Sequence, residues 1–200
     1  MSNRQLQLEN YSELRRRRVM DTLQDAAIHH FTDAARELRD RIGNICPEAT
    51  LSENLISLAP VIFDRHWFDI NEEARAFALV APAMNEDAEV VDAAAFELGN
   101  PFRVRLLIGT GIAIGLPEIF EARHHPQFRV PCHSNIWAYL KSGCTGLLPI
   151  NWRHTALHLH ERGVGGLIAS TIEEGQAIAR LMSDALPPTP VYVQASQVAA

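Results

Sequence analysis

The sequence predicts an α/β protein on a mixed sheet: a long N-terminal helix, antiparallel strands, then a C-terminal parallel strand-helix-strand-helix-strand (βαβαβ) unit. Three observations predict it. Apolar residues recur at helical spacing from Met20 to Ile42, and short strand-like runs joined by a tight turn occupy residues 75 to 108. From residue 145 to 194, apolar runs alternate with amphipathic stretches that carry start and stop signals at nearly every boundary.

In the N-terminal segment Met20, Leu23, Ala27, Phe31, Ala34, Leu38 and Ile42 share one stripe of a helix running from about Ser12 to Gly43. A straight helix of that length spans roughly 45 Å at 1.5 Å per residue, longer than a domain of this size is wide. It must break or protrude. Protrusion leaves an apolar seam that calls for a partner helix, most simply that of a second subunit, so a homo-oligomer through the N-terminal helix is expected. A helix folded back onto its own domain is the alternative. The chain is accordingly divided into a helical segment, residues 1–43, and an α/β domain, residues 44–200.

Arg75 to Val80, Glu89 to Glu97 and Phe102 to Ile108 are strand-like, and the last two are joined by Leu98-Gly99-Asn100-Pro101, whose Gly, Asn and Pro form turns. So short a connection implies an antiparallel pair. Ser134 is placed to cap a helix through Ile136, Trp137 and Leu140 that stops at Gly143. Gly146 to Ile150 is the next strand, ending at the helix cap Asn151; Trp152, Ala156 and Leu159 form the buried stripe of the helix that follows. Val164 to Ala169 is a further strand. Ser170 and Thr171, each with a Glu three residues on (Glu173, Glu174), make a capping box in either register. The helix they open buries Ile178, Leu181, Met182 and Ala185, stops before Pro187 and Pro188, and leaves Val191 to Val193 as the last strand. Strands alternating with single helices imply parallel crossovers.

Composition narrows the function classes. No apolar run reaches the ~20 residues of a membrane span, and the polar N-terminus offers no signal peptide. Cys46, Cys132 and Cys144 include no C-x-x-C, which favours a reduced, cytoplasmic protein. Residues 1–43, 44–101 and 102–200 carry net charges of +1, −9 and +2, giving −6 overall, and such an acidic middle is unlike a general nucleic-acid binder. Arg15 to Arg18 are the exception, although consecutive residues on a helix form a collar and not a patch.

Several residues invite chemistry. Gly109-Thr110-Gly111, extended to Gly115, follows a strand and has the look of a phosphate turn, in which missing side chains let backbone N–H groups approach an anion. Gly115 stands one residue late for the dinucleotide fingerprint, and the alternative is a tight turn with close backbone packing. His154, His158 and Glu161 share one helix face opposite the apolar stripe, and Cys132 and His133, with His124 and His125, form a second cluster; together they are a candidate metal set. Asn151, Ser170 and Thr171 begin helices at the carboxyl ends of the parallel strands, where anions bind. No catalytic residue stands out, and no cofactor is expected.

Val90-Val-Asp-Ala-Ala-Ala-Phe-Glu through Arg105-Leu-Leu-Ile-Gly-Thr-Gly, then Ile136-Trp-Ala-Tyr-Leu-Lys-Ser-Gly-Cys-Thr-Gly, resembles uncharacterised proteins of proteobacterial prophages and plasmids. The same tract resembles toprim modules of mobile-element primases in the order of strand, Gly turn, helix and Trp-Ala. A toprim site needs a Glu after its first strand and an Asp-x-Asp later to hold magnesium, whereas this chain has Gly109-Thr110 and Ala169-Ser170-Thr171. The resemblance therefore implies a module without metal-dependent phosphoryl chemistry. The function expected is a non-enzymatic accessory protein of a mobile genetic element, acting through protein or nucleic-acid contacts. The alternative is a small-ligand or phosphate-binding α/β enzyme whose site lies at the carboxyl ends of the parallel strands.

Overall fold

Residues 3–28, 33–119, 129–183 and 191–193 are described by a computed structural model, and among them six α-helices and ten strands divide into two units. The first unit is residues 1–85 with 89–111, the second residues 86–88 with 112–200. The boundary expected after residue 43 falls inside the first unit, because the N-terminal helix packs on the antiparallel sheet.

In the first unit, helices α1 (Asn3–Ile28), α2 (Asp33–Gly43) and α3 (Glu48–Glu53) precede strands β1 (Ser57–Phe63), β2 (Phe68–Ile70), β3 (Phe77–Met84), β4 (Val90–Glu97) and β5 (Val104–Leu106). The strands form one antiparallel sheet in the order β2-β1-β3-β4-β5. The β4–β5 pair is the one expected from the Gly-Asn-Pro turn. β1 and β2 are not predicted by the sequence, where Pro60 interrupts the apolar run of β1. Val19, Leu23 and Ala26 of α1 pack on Ala59, Val61, Ala78, Val80, Ala93 and Ala95, alternate positions of three neighbouring strands. Alanine on that face lets the helix backbone approach closely.

The sheet curls. Arg105 on the edge strand β5 donates through Nε to the Asp64 carbonyl oxygen at 3.2 Å, just past β1, and the Arg103 guanidinium stands 5.2 Å above the Phe63 ring. The expected seam on α1 is shifted by one residue: Met20 and Ala27 are exposed, while Val19 and Ala26 are buried. From Val19 onward the helix is therefore folded onto its own domain, the alternative to protrusion. On α2, Leu38 is half-buried and Ile42 buried; residues 29–32 and the side chain of Ala34 lie outside what is described.

In the second unit the order is β6 (Ala113–Ile114), a 3₁₀ turn (Leu116–Glu118), β7 (Val130–Pro131), α4 (Ile136–Lys141), β8 (Leu148–Pro149), α5 (Trp152–Glu161), β9 (Leu167–Ala169), α6 (Ile172–Ser183) and β10 (Val191–Val193). β10, β9 and β7 are parallel neighbours, and β6 pairs with β8 antiparallel. β9 and β10, joined by α6, are the parallel pair expected. β8 does not neighbour β9: a parallel bridge between Cys132 and Leu147 places β7 between them. Two further expectations need correction. Asn135, not Ser134, caps α4, its Oδ1 accepting from the N–H groups of Trp137 at 3.0 Å and Ala138 at 3.1 Å. α6 buries Glu174, Gly175, Ile178 and Met182, whereas Leu181 is exposed; Ala185 lies outside the described residues.

Candidate functional site

The glycine turn does converge its N–H groups on an anion, and the anion belongs to the chain. Asp92 on β4 is fully buried. Its Oδ2 accepts from the N–H groups of Gly109 at 2.8 Å, Thr110 at 2.7 Å and Gly111 at 3.0 Å, and from the Thr110 hydroxyl at 3.3 Å. Its Oδ1 accepts from Ala93 N–H at 2.8 Å and Ile108 N–H at 2.9 Å. Gly111 has no room for a side chain, since a Cβ there would lie 2.8 Å from that of Ala83. The donors that could have held a phosphate are thus satisfied internally. Gly115 is explained separately: a Cβ at this position would sit 2.0 Å from the Gly146 carbonyl oxygen, and the Gly146 N–H in turn is held by both oxygens of Glu118 at 2.7 and 2.8 Å.

The strand ends of the second unit follow the same plan. Asn151 spends its side chain as the cap of α5, accepting from His154 N–H at 3.1 Å. At α6 the Thr171 half of the capping box forms, with Glu174 N–H donating to Thr171 Oγ1 at 3.1 Å. The Glu174 carboxylate reaches back to the hydroxyl of Ser170 and to its N–H at 3.3 Å, and across to Ser134 N–H at 3.3 Å, tying the end of β7 to that of β9. Ser134, Asn135, Ser142, Ser170 and Thr171, together with Lys141 and Trp137, line a cleft of about 710 Å³ above this carboxylate.

The described members of the expected metal set do not come together. His154 and Glu161 are exposed, while His158 Nε2 lies 2.6 Å from Glu86 Oε1, which Arg162 Nε also approaches at 2.7 Å. His133 is buried, its Nε2 3.0 Å from the Thr145 carbonyl, which can only accept; Nε2 therefore carries a proton, and Nδ1 faces Glu174 Oε1 at 3.6 Å. Burial, and then the charge of Glu174, push the Cys132 thiol far up from its ordinary range. Among the described residues, no group of three or more His, Cys, Asp or Glu side chains is placed to hold a metal ion. His124 and His125 lie outside those residues.

Sequence reasoning missed the three organising acids. Asp92 stands 16 to 19 residues before the turn it fills and Glu118 stands 28 before Gly146, beyond the reach of any local pattern. Glu174 was visible as a capping residue, but its bond across to Ser134, 40 residues away, was not.

One charged surface is left open. Ser12 to Arg18, including all four consecutive arginines, are exposed, and the first buried side chain among those described on α1 is Val19.

No protein-family model and no curated protein matches the sequence. Among solved structures the chain is similar to the DnaG primase catalytic domain bound to ssDNA, with 14% identity, 88% of this chain and 69% of that one covered, and a TM-score of 0.49. A likeness at that level assigns neither fold nor function to this chain. Among the described residues no helix is long and apolar enough to cross a membrane.

Proposed function

We propose that the chain is a non-enzymatic accessory protein that binds nucleic acid through α1, in the service of a mobile genetic element. The exposure of Arg15, Arg16, Arg17 and Arg18 carries this reading. Four consecutive helical residues stand about 100° apart and cover the whole circumference. On a helix lying flat against its own protein such a collar would waste half its charge. Residues 12 to 18 are exposed, with Arg17 standing 4.0 Å from Asp21, and a helix seated in a major groove meets phosphates on both walls, so guanidinium groups on more than one side of the helix find partners there. The turns at Gly109–Gly111 and at Ser170 support the non-enzymatic half, because the one carboxylate at each, Asp92 and Glu174, is already taken up by the chain's own N–H and hydroxyl groups. The mobile-element context rests on the sequence resemblance.

The test is fluorescence anisotropy of a labelled duplex over a range of salt, with the full chain and an R15A/R16A/R17A/R18A variant. Wild type is expected to bind with a log–log salt slope that falls by roughly one for each arginine removed. Absence of binding by wild type, or an unchanged slope in the variant, refutes the proposal.

A second use, as a small-ligand site at the carboxyl ends of the parallel strands, is favoured by the cleft beside Ser170 and Thr171. Asn151, committed to its cap, and Gly109–Gly111, filled by Asp92, take no part in it. Isothermal titration with inorganic phosphate and with nucleosides is its test, and no heat with either removes it.

A further inference from the structure

The first unit contains a cavity of about 730 Å³ that none of these readings uses, walled by Met20, Leu23 and Ala27 of α1, Ile42 of α2, Leu55 after α3, and Leu79 of the sheet. Four of these six, Met20, Leu23, Ala27 and Ile42, come from the stripe read in the sequence as an oligomer seam. Met20 and Leu55 are 43% and 48% exposed.

Leu55 is held there against local preference. The N–H groups of Ile56 and Leu55 return to the carbonyls of Leu51 at 2.8 Å and Ser52 at 3.1 Å, the paired bonds of a Schellman helix end. The residue after the cap in that motif is left-handed and is usually glycine; here it is leucine, with φ +54°. A branched apolar side chain is thus carried at the rim of an apolar cavity in a conformation that disfavours it, a pairing of strain and exposure that marks binding sites.

The charges at the mouth weigh against an anionic occupant. Arg39 is ion-paired to Glu48, and Asp40 also lines the cavity, so the three leave the mouth with a net negative charge. An anionic amphiphile is repelled. We infer that this cavity binds a neutral, largely apolar small molecule, for which its volume lies in the usual range.

The probe is N-phenyl-1-naphthylamine, a neutral fluorophore that brightens in apolar surroundings, titrated into the full chain alongside a light-scattering measurement of mass. Saturable binding at one site per monomer is expected. Leu55→Gly relieves the left-handed backbone while deleting the rim, so it should weaken binding about five-fold or more with the thermal midpoint held or raised. Ala27→Phe, at an exposed position, should fill the space and abolish binding. A linear titration, or affinities equal to wild type in both variants, overturns the inference. So does a dimer that excludes the probe until it is diluted to monomers, which would make a second copy the occupant.

Discussion

Replacing Asp92 by Asn tests how much of the first unit hangs on one carboxylate. The substitution keeps the shape and removes the charge and one acceptor. Two backbone N–H groups point at Oδ1, and three with a hydroxyl at Oδ2. Whichever way the amide is turned, its NH₂ group meets at least two buried N–H donors head-on. Leaving a buried donor unsatisfied costs about 1–3 kcal/mol, so two cost about 4 kcal/mol before the weakening of the remaining bonds is counted. That is a large part of the 5–15 kcal/mol that typically separates folded from unfolded domains. Guanidinium unfolding of the full chain should show the loss in the transition of the first unit. Asp92→Gly offers a complement, since formate or acetate added at high concentration should re-enter the vacated nest and raise the midpoint, whereas chloride at equal ionic strength should not. An Asp92→Asn protein within about 1 kcal/mol of wild type would refute the reasoning, for it would mean that the turn keeps its shape without its anion.

Other substitutions separate equally sharply. Gly115→Ala forces a Cβ onto the Gly146 carbonyl oxygen at φ +80° and should cost about 3 kcal/mol or more, while Gly163→Ala, at φ +69° with open space around it, should cost only about 1–2 kcal/mol; thermal melts of the two variants give the comparison. Asn135→Ala should remove about 1 kcal/mol through the lost cap of α4 and Ser134→Ala less, as judged by denaturant midpoints. Cys132, whose thiol is raised above its ordinary 9.0, keeps its proton in the folded chain when the unfolded chain releases it. Its contribution is therefore present below about pH 9 and lost as pH rises beyond, so wild type should lose more stability than Cys132→Ala between pH 8 and 10. The same thiol should stay silent to a disulfide reagent at pH 8 until the protein is unfolded.

Features set by neighbours in sequence were legible: the Asn151 cap, the Thr171 cap on the Glu174 N–H, the β4–β5 turn and the parallel β9–β10 pair. Each depends on residues a few positions apart, or on a single crossover whose handedness and direction are constrained. Features set by distant partners were not. β7 is two residues long and holds its place between β8 and β9 only through non-local pairing, so no periodicity announces it. The buried face of α1 differs from the apparent stripe by one residue, because the alanine-rich sheet accepts Val19 and Ala26 as well as it would Met20 and Ala27. At the candidate site, the N–H groups that suggest a phosphate turn in the sequence converge on Asp92. No local pattern distinguishes the two occupants, because an internal carboxylate and an external phosphate look alike to a backbone N–H.

The excursion of residues 86–88 makes the two units inseparable as contiguous stretches of gene. The chain passes from one unit to the other at residues 85–86, 88–89 and 111–112. A fragment ending at residue 111 would carry Glu86 without His158 and Arg162, the groups that face its carboxylate at 2.6 and 2.7 Å. A fragment beginning at residue 112 would keep those two cations and lose their acid. Deletion mapping of binding activity along this chain should therefore fail at cuts that look like natural domain borders. Recombination that exchanges either half would have to carry the Glu86 hairpin tip along with the helix bearing His158.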